Sequence, residues 1–550
     1  MKLSGSQIII EQLCAHGVET VFGYPGGSVL PLYDELYKNS HRISHVLTAH
    51  EQGAAHAADG YARAKSKAGV VIATSGPGAT NLVTGIANAY LDSVPLVAIT
   101  GNVNVPLLGR DSFQEVDIVG ITQPVVKHNF MVRDISQLEK TLNEAFHLAE
   151  SGRRGPVLVD VPRSIQTDMF EYFGSLPKAR DEALSAPELG EAILAIEKCK
   201  RPYIYAGGGV GAAGAEAELL ELSRRLCAPI GLSMMGLTAA PADYELNLGM
   251  CGMHGTYAAS AAQAESDLII ALGVRFSDRA TGNTDEYGRE RVIIHVDIDL
   301  SEIDKNIPSR ISVCCDVKKA LSALLSELPA SENEAWSARI EELKQLGAAS
   351  QQDDFMPRMV IEAINAHCAP ETVVATDVGQ HQMWTMQYYK FTKPRTLLTS
   401  GGLGTMGYGL GAAIGGCLAT GRQRTVLFTS DGSFGMNLNE LATAVTYELP
   451  LVIVILNNGV LGMVRQWQSM FFDERYSQTT LQRKTDFVAL AKAFGAQGYA
   501  AASLAELSAV LQNLSPDGPT VIDYRIGMDC KVLPMIPPGG SISDIIMEVD

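Results

Sequence analysis

Thr425-Val426-Leu427-Phe428-Thr429-Ser430-Asp431-Gly432-Ser433, answered by Leu451-Val452-Ile453-Val454-Ile455-Leu456-Asn457-Asn458-Gly459, is the stretch around which the rest of the chain is organised. Each half opens as a short apolar run of strand formers and stops at polar residues. Between them Leu438-Asn439-Glu440-Leu441-Ala442-Thr443-Ala444-Val445 reads as helix. The unit is therefore strand, loop, helix, strand, with polar groups at both strand ends. In a parallel sheet neighbouring strand ends share one edge, and such edges bind ligands. An Asp carboxylate and an Asn carbonyl are hard oxygen donors suited to Mg²⁺, which takes few protein ligands and completes its shell with phosphate and water. The bland alternative is an Asp-Gly turn and an Asn-Asn turn without a shared purpose.

The bulk properties bound the rest. A chain of 550 residues is too long for one core, so two to four domains are expected. A net charge of −18 argues against nucleic acid or an anionic membrane as partner. No apolar run approaches the ~20 residues that span a bilayer. The start, Met1 to Gln7, lacks a signal-peptide core, and Ile8-Ile9-Ile10 fits the beginning of an amphipathic helix. Nine scattered cysteines without a CxxC pair suit reduced thiols rather than disulfides or zinc. A cytoplasmic, multidomain α/β protein is the expectation.

Taken in order, residues 1–167 alternate strand-like and helical runs punctuated by glycine. Val70–Thr74, Leu96–Thr100 and Pro156–Pro162 are its plainest strands. Residues 166–187 read as a linker, 188–328 as a second α/β unit, 329–356 as a second linker, and 357–550 as the unit holding the opening stretch with a Pro/Gly-rich tail. The fold class is α/β, with three doubly wound parallel sheets. The first and third units share scale and rhythm without a clean repeat.

Two features need weighing on their own residues. Glu51 opens a small-residue helix (His50-Glu51-Gln52-Gly53-Ala54-Ala55), where Ala and Gly let another surface come close, and where an acid could simply complement the helix dipole. His45, His50 and His56 lack metal spacing and read as polar packing. Gly209-Val210-Gly211-Ala212-Ala213-Gly214 is a GxGxxG after a strand. The acid expected after the next strand is missing, since Gly231-Leu232-Ser233-Met234-Met235 stands there, and this argues against an ordinary NAD site.

FGYPGG at 22–27, AHEQG at 49–53, GYAR at 60–63, TSGPGATN at 74–81 and the Asp431-to-Asn458 spacing of 27 occur together and in order. Together they resemble the thiamine-diphosphate enzymes of the pyruvate-oxidase and acetolactate-synthase group. More specific runs, FQE at 113–115, KHN at 127–129, DVGQHQMW at 377–384, GLGTMG at 402–407 and GMVRQWQ at 462–468, are similar to acetohydroxyacid synthases across nearly the whole chain.

The resemblance implies the cofactors thiamine diphosphate, Mg²⁺ and FAD. It implies that Glu51 contacts N1′ of the aminopyrimidine and promotes the imino tautomer. The diphosphate half-site falls on Val378, Gly379, Gln380, His381, Gly404, Met406, Asp431, Gly432, Ser433, Asn458, Leu461, Gly462 and Met463, with Asp431, Asn458 and Val460 on the metal. Gln114 and Lys127 fall beside the substrate channel. Arg279 falls on the carboxylate of the second ketoacid, a planar target for a guanidinium, and Trp467 on its extra methyl. The flavin site falls on Arg153, Gly207, Gly208, Gly209, Ser233, Met234, Gly252, Met253, His254, Gly273, Arg275, Arg279, Asp297, Ile298 and Asp316.

The chain departs from the family at Ser430 for Gly, Ser277 for Asp beside the flavin, Leu300 and Gly411 for Pro, and Arg154 for Pro. The activity implied is condensation of pyruvate with pyruvate or 2-ketobutyrate for branched-chain amino-acid synthesis. A homodimer or tetramer, with Glu51 and Asp431 joined across subunits, and a small regulatory subunit are implied partners. The competing readings are a flavin-independent catabolic synthase or other ketoacid decarboxylase, and a non-catalytic cofactor-binding homologue.

Overall fold

A computed structural model describes residues 1–174, 188–289, 291–349 and 354–548. Its described residues form three six-stranded sheets, all parallel, and one antiparallel pair. Strands that carry helices on both faces read as continuous apolar runs, which is why Gly69–Ala73, Leu96–Asn102, Pro156–Pro162, Thr425–Thr429 and Leu451–Asn457 are each buried along their whole length.

Across the first sheet the strands are Ser44–Leu47, Thr20–Tyr24, Gly69–Ala73, Leu96–Asn102, Pro156–Pro162 and His128–Met131. Across the third they are Leu397–Leu398, Val373–Thr376, Thr425–Thr429, Leu451–Asn457, Thr520–Arg525 and Gln497–Ala501. Numbered along the chain, both run 2-1-3-4-6-5. The central sheet, Asn247–Met250, Ile230–Leu232, Pro202–Ala206, Leu268–Leu272, Val292–Asp297 and Ile311–Cys314, runs 3-2-1-4-5-6, the order of dinucleotide-binding folds. The central order reverses once, between its strands 1 and 4, whereas each outer order reverses between strands 1 and 3 and again at its 6-5 edge. Where connections leave neighbouring strands in opposite directions, the strand ends part to leave a crevice.

The first and third sheets are joined helix to helix. Glu51–Lys65 lies along Tyr408–Ala419, and Ala54, Ala57 and Ala58 share one buried cluster with Ala412, Ala413 and Ile414. The backbones nearly touch. A Cβ on Gly60 would stand 2.3 Å from the Ala412 carbonyl oxygen, and one on Gly415 1.9 Å from that of Ala57. The surface that the Ala/Gly run invites is thus a helix of the third unit in the same chain.

Both linker readings need correction where residues are described. Arg163–Thr167 is helical, and Met169–Glu171 pairs antiparallel with Lys2–Ser4, which leaves the rest of the first linker largely outside the described residues. Within 329–356, Glu334–Ala349 is a helix that buries Trp336, Ile340 and Leu343. Their 4- and 3-residue spacing is helical, and each buried side chain contributes roughly 1.5–3 kcal/mol. A polar composition masked that stripe.

Candidate active site

The third sheet reverses between Val373–Thr376 and Thr425–Thr429, and Asp377 leaves the first of these strands at that crevice. It is buried and accepts the amides of Val378 at 3.1 Å and Gly407 at 2.7 Å and the Thr429 hydroxyl at 3.2 Å. Burial nevertheless pushes its carboxyl up to about 6.

Ser430 closes the neighbouring strand and caps the helix Asp431–Asn437, its Oγ accepting the Ser433 amide at 3.3 Å. A hydroxyl at that position satisfies an orphan helix amide, which a glycine cannot do. Asp431 follows, buried, with Oδ1 lacking any protein partner, and burial raises its carboxyl to about 6. An unpartnered buried carboxylate oxygen is costly unless something outside the protein meets it.

The parallel register sets Thr429 beside Ile455, so Asn457 and Asn458 emerge next to Ser430 and Asp431. Asn458 Oδ1 accepts the Val460 amide at 3.2 Å, which turns the chain at this edge. Around it, Gln380 donates to Gln466 at 3.0 Å and to the Cys530 carbonyl at 2.7 Å, and Ser433 donates to the Val378 carbonyl at 2.8 Å. Leu461 and Met406 lie over Gly432, and a Cβ on Gly462 would meet Gln380 at 2.0 Å. His381 is buried, its Nε2 without a partner and its ring held neutral by burial, down to about 3. Gly379 has φ of +149°, a backbone conformation that favours glycine. Val378, Gly379, Gly404, Met406 and Met463 also line a large cavity described below. This edge offers one orphan carboxylate oxygen, an amide side chain and small residues in close approach. Such a set can hold a cation and an anionic group.

On the first domain, Glu51 is half-buried and its Oε2 accepts from Asn81 at 2.9 Å. Gly78 faces the other oxygen, a Cβ there standing 3.3 Å from Oε1, and Gln114 overlies neighbouring Gly76 with a φ of +59°. Glu440 reaches from the third domain to the start of the Glu51 helix, accepting the amides of Ala49 at 3.1 Å and His50 at 2.9 Å. Lys127 sits elsewhere: its Nζ donates to the carbonyls of Leu148 and, at 2.8 Å, Ser151 at the end of Leu138–Glu150. It does not line the cavity. His56 packs edge-on against Tyr408 at 5.3 Å, as polar packing.

A cavity of about 1740 Å³ runs between the three units. Drug-sized ligands occupy ~300–1,000 Å³, so this space suits a larger molecule. At the central sheet's reversal Gly207, Gly209 and Gly273 cross so closely that a Cβ on Gly209 would stand 2.6 Å from Gly273 Cα. Gly208, Gly209, Ser233, Met234, Gly273 and Arg275 line the cavity, as do Met253, His254, Asp297, Ile298 and Asp316. Gly207 lies behind it, and Gly252 lines a smaller neighbouring pocket of about 330 Å³. Arg153 lines the large cavity from the first domain and is paired with Glu302 at 2.5 Å and Asp299 at 3.3 Å.

Arg279 and Trp467 meet at this wall. The guanidinium lies over the indole at 5.5 Å, although the two residues come from the central and third units. The Met253 amide donates to the Arg279 carbonyl at 2.8 Å, and Gly252 leaves room for that approach. The sequence reading missed Asn88 and Asp92, first-domain residues that bond the third-domain loop Ser400–Thr405; only the Asp59/Arg63 spacing of four hinted at a buried ion-pair network there.

The chain matches three domain families: the thiamine pyrophosphate enzyme N-terminal TPP binding domain over residues 3–121, the central domain over 189–324, and the C-terminal TPP binding domain over 377–524. It is 43% identical to the acetolactate synthase isozyme 2 large subunit of Escherichia coli K12, across 99% of both chains. It is 44% identical to the acetolactate synthase large subunit of Corynebacterium glutamicum, across 99% of this chain and 90% of that one. With the probable acetolactate synthase large subunit of Methanocaldococcus jannaschii it shares 42%, across 100% and 96%. The chain belongs to the acetolactate synthase family. It is therefore a thiamine-diphosphate enzyme of that family with the three-domain α/β layout.

As a family member the chain handles its departures locally. Gly411 lies against His56, where an added Cβ would come within 2.8 Å of that side chain. Arg154 donates to Ser66 Oγ at 2.9 Å, and Leu300 is exposed. Ser277 precedes the short helix Asp278–Thr281 and lines the cavity.

Proposed function

We propose that this chain is the catalytic subunit of an acetolactate synthase, decarboxylating pyruvate and joining the two-carbon unit to pyruvate or 2-ketobutyrate. The products are 2-acetolactate and 2-aceto-2-hydroxybutyrate, and the setting is cytoplasmic branched-chain amino-acid synthesis. The observation that carries the reading is Arg279 over Trp467 at the cavity wall, a carboxylate-binding fork beside an apolar plate, in the cavity that Met463 and Met406 also line. That pair suits a short 2-ketoacid, its carboxylate on the guanidinium and its alkyl end on the indole.

Thiamine diphosphate supplies the electron sink. Asp431, Asn458 and the Val460 carbonyl would hold Mg²⁺; the orphan Oδ1 of Asp431 fits such an ion. Among the described residues no cluster of three or more His, Cys, Asp or Glu forms a metal site, which suits an ion with one carboxylate ligand. His381, Gln380 and the small residues Gly379, Gly432, Ser433 and Gly462 would receive the diphosphate, with Leu461, Met463 and Met406 packing on the cofactor. Glu51 would bond N1′, and Gln114 stands near enough to bound the substrate side. Lys127 would act on the channel only by moving off the carbonyls that hold it.

FAD would fill the large cavity, its phosphates over the Gly207–Gly209 and Gly273 crossing and its remaining contacts on the central-domain residues above. Glu51 of one subunit would serve the Asp431 edge of another in a homodimer, alone or paired into a tetramer. Phe113 beside Gln114 and Met436 after Asp431 are 87% and 58% exposed, and such apolar residues beside both half-sites suit a subunit contact. A small regulatory subunit is expected, since the relatives are named large subunits. The test offers pyruvate and 2-ketobutyrate together while FAD and Mg²⁺ are varied. Mixed acetohydroxyacid products that require both cofactors are expected. No CO₂ release from pyruvate would overturn the reading, and full activity after flavin removal would favour a flavin-independent synthase.

A further inference from the structure

The loop Ser400–Gly407 carries Gly404 and Met406, yet its first half is fixed by the first domain. Asp92 accepts the amides of Gly401 at 3.0 Å and Gly402 at 2.7 Å, and Arg63 Nη2 at 2.8 Å. Its side chain is fully buried. Asn88 Oδ1 accepts the Ser400 hydroxyl at 2.5 Å and the Thr405 hydroxyl at 3.3 Å, while Ser400 Oγ accepts the Thr405 amide at 2.9 Å. Asp59 ties these groups together, accepting from Arg63 at 2.6 Å, Asn88 at 3.2 Å and the Tyr408 hydroxyl at 2.7 Å.

The far end of the loop is held by its own domain. The Gly407 amide donates to Asp377, and the Gly407 carbonyl accepts from Asn437 at 3.1 Å. Between the two anchors Leu403 is exposed, and Gly404, at a φ of +69°, has nothing within 4 Å of a Cβ position. The loop is therefore pinned at both ends and unsupported in the middle. Where Met406 stands depends on both anchors.

A buried carboxylate is costly unless paired and hydrogen-bonded. Asp92 meets that condition only because two third-domain amides approach it together with Arg63.

We propose that Asp92 is a positioning residue for thiamine diphosphate: from the first domain it seats the loop Ser400–Gly407 so that Met406 and the Gly407 amide stand correctly at the Asp377 edge. The inference rests on the cofactor reading above. It adds a first-domain contribution to the diphosphate half-site of the same chain, separate from that of Glu51.

The test uses full-length protein with Mg²⁺ and FAD present and measures thiamine diphosphate affinity by titration calorimetry. Asp92→Asn should weaken it at least about tenfold, as loss of an outer-shell partner does. Ser400→Ala, which leaves Arg63 paired and buries no charge, should weaken it about threefold or more, the size of one hydrogen bond. Flavin content and the KM for pyruvate should stay within about twofold of wild type, which a general loss of structure would not allow. If Asp92→Asn fails to fold, Ser400→Ala decides alone. Unchanged affinity in the folded variants overturns the inference, as does a parallel fall in flavin and thiamine binding. Wild-type protein that binds no thiamine diphosphate overturns the cofactor reading itself.

Discussion

Glu51 stands at a helix start, where any acid gains ~0.3–1 kcal/mol from the dipole. What separates it from an ordinary helix-start acid is its setting, with Asn81 on one oxygen and Gly78 facing the other. Glu51→Gln should leave the urea unfolding midpoint unchanged and lower kcat at least ~100-fold, the usual size of lost acid–base help. Near-normal turnover would sink the mechanism. Trp467→Leu should cut the preference for 2-ketobutyrate over pyruvate at least ~10-fold in direct competition, with pyruvate turnover largely kept, since one methylene in an apolar site can supply only ~1–3 kcal/mol. At this scale residue types and spacing foretold that Asp431 and Asn458 emerge at neighbouring strand ends. They did not reach Asp92 or Asn88. Those are polar residues in a helical stretch, and only the fold shows that a loop some 310 residues away bonds to them.

The contact between Glu51–Lys65 and Tyr408–Ala419 works because neither helix carries bulk where they cross. Gly415→Ala would drive a methyl group into the Ala57 carbonyl. Overpacking of this kind costs ~1–3 kcal/mol, and a helix pair with backbones in contact has little room to relax. Equilibrium urea unfolding should show a loss of at least ~2 kcal/mol, and an unchanged midpoint would mean that the helices slide apart without cost. Fully buried strands were legible as apolar runs, and the Ala/Gly run foretold a close neighbour. Its identity was not legible, because small residues specify closeness and not a partner. Glu334–Ala349 was hidden for the opposite reason: three buried side chains in a long polar run give a stripe too thin to stand out.

Among the described residues burial favours the neutral ring in five histidines: His45, His56 and His254 at about 4, His381 at about 3, and His295 below its usual value. Their unfolded value is about 6.5. Below that pH the unfolded chain binds protons that the native protein refuses, so stability is full above about 6.5 and is lost as pH falls toward 4. Each ring can contribute up to ~1.4 kcal/mol per pH unit within that window. Buried carboxylates held high, Asp377 and Asp431 at about 6 among them, act in the opposite sense between pH 7 and 5. The test is therefore differential: the urea midpoint of His56→Gln should fall less, or rise more, than that of the wild type from pH 7 to 5, and parallel profiles would contradict the burial of that ring. Strand order was the least legible property of all, since crossovers leave no mark in local pattern, and the shared 2-1-3-4-6-5 order of the outer sheets is absent from any residue-by-residue likeness. The helix contact between those sheets has a consequence for synthesis. Tyr408 lies 343 residues after Lys65. At ~5–20 residues per second on the ribosome, the Ala/Gly face of the first domain waits tens of seconds for its cover. During that interval the nascent chain presents an alanine-lined surface that no segment yet made can shield, a natural footing for a holding chaperone and the first place where a truncated chain would stick to its neighbour.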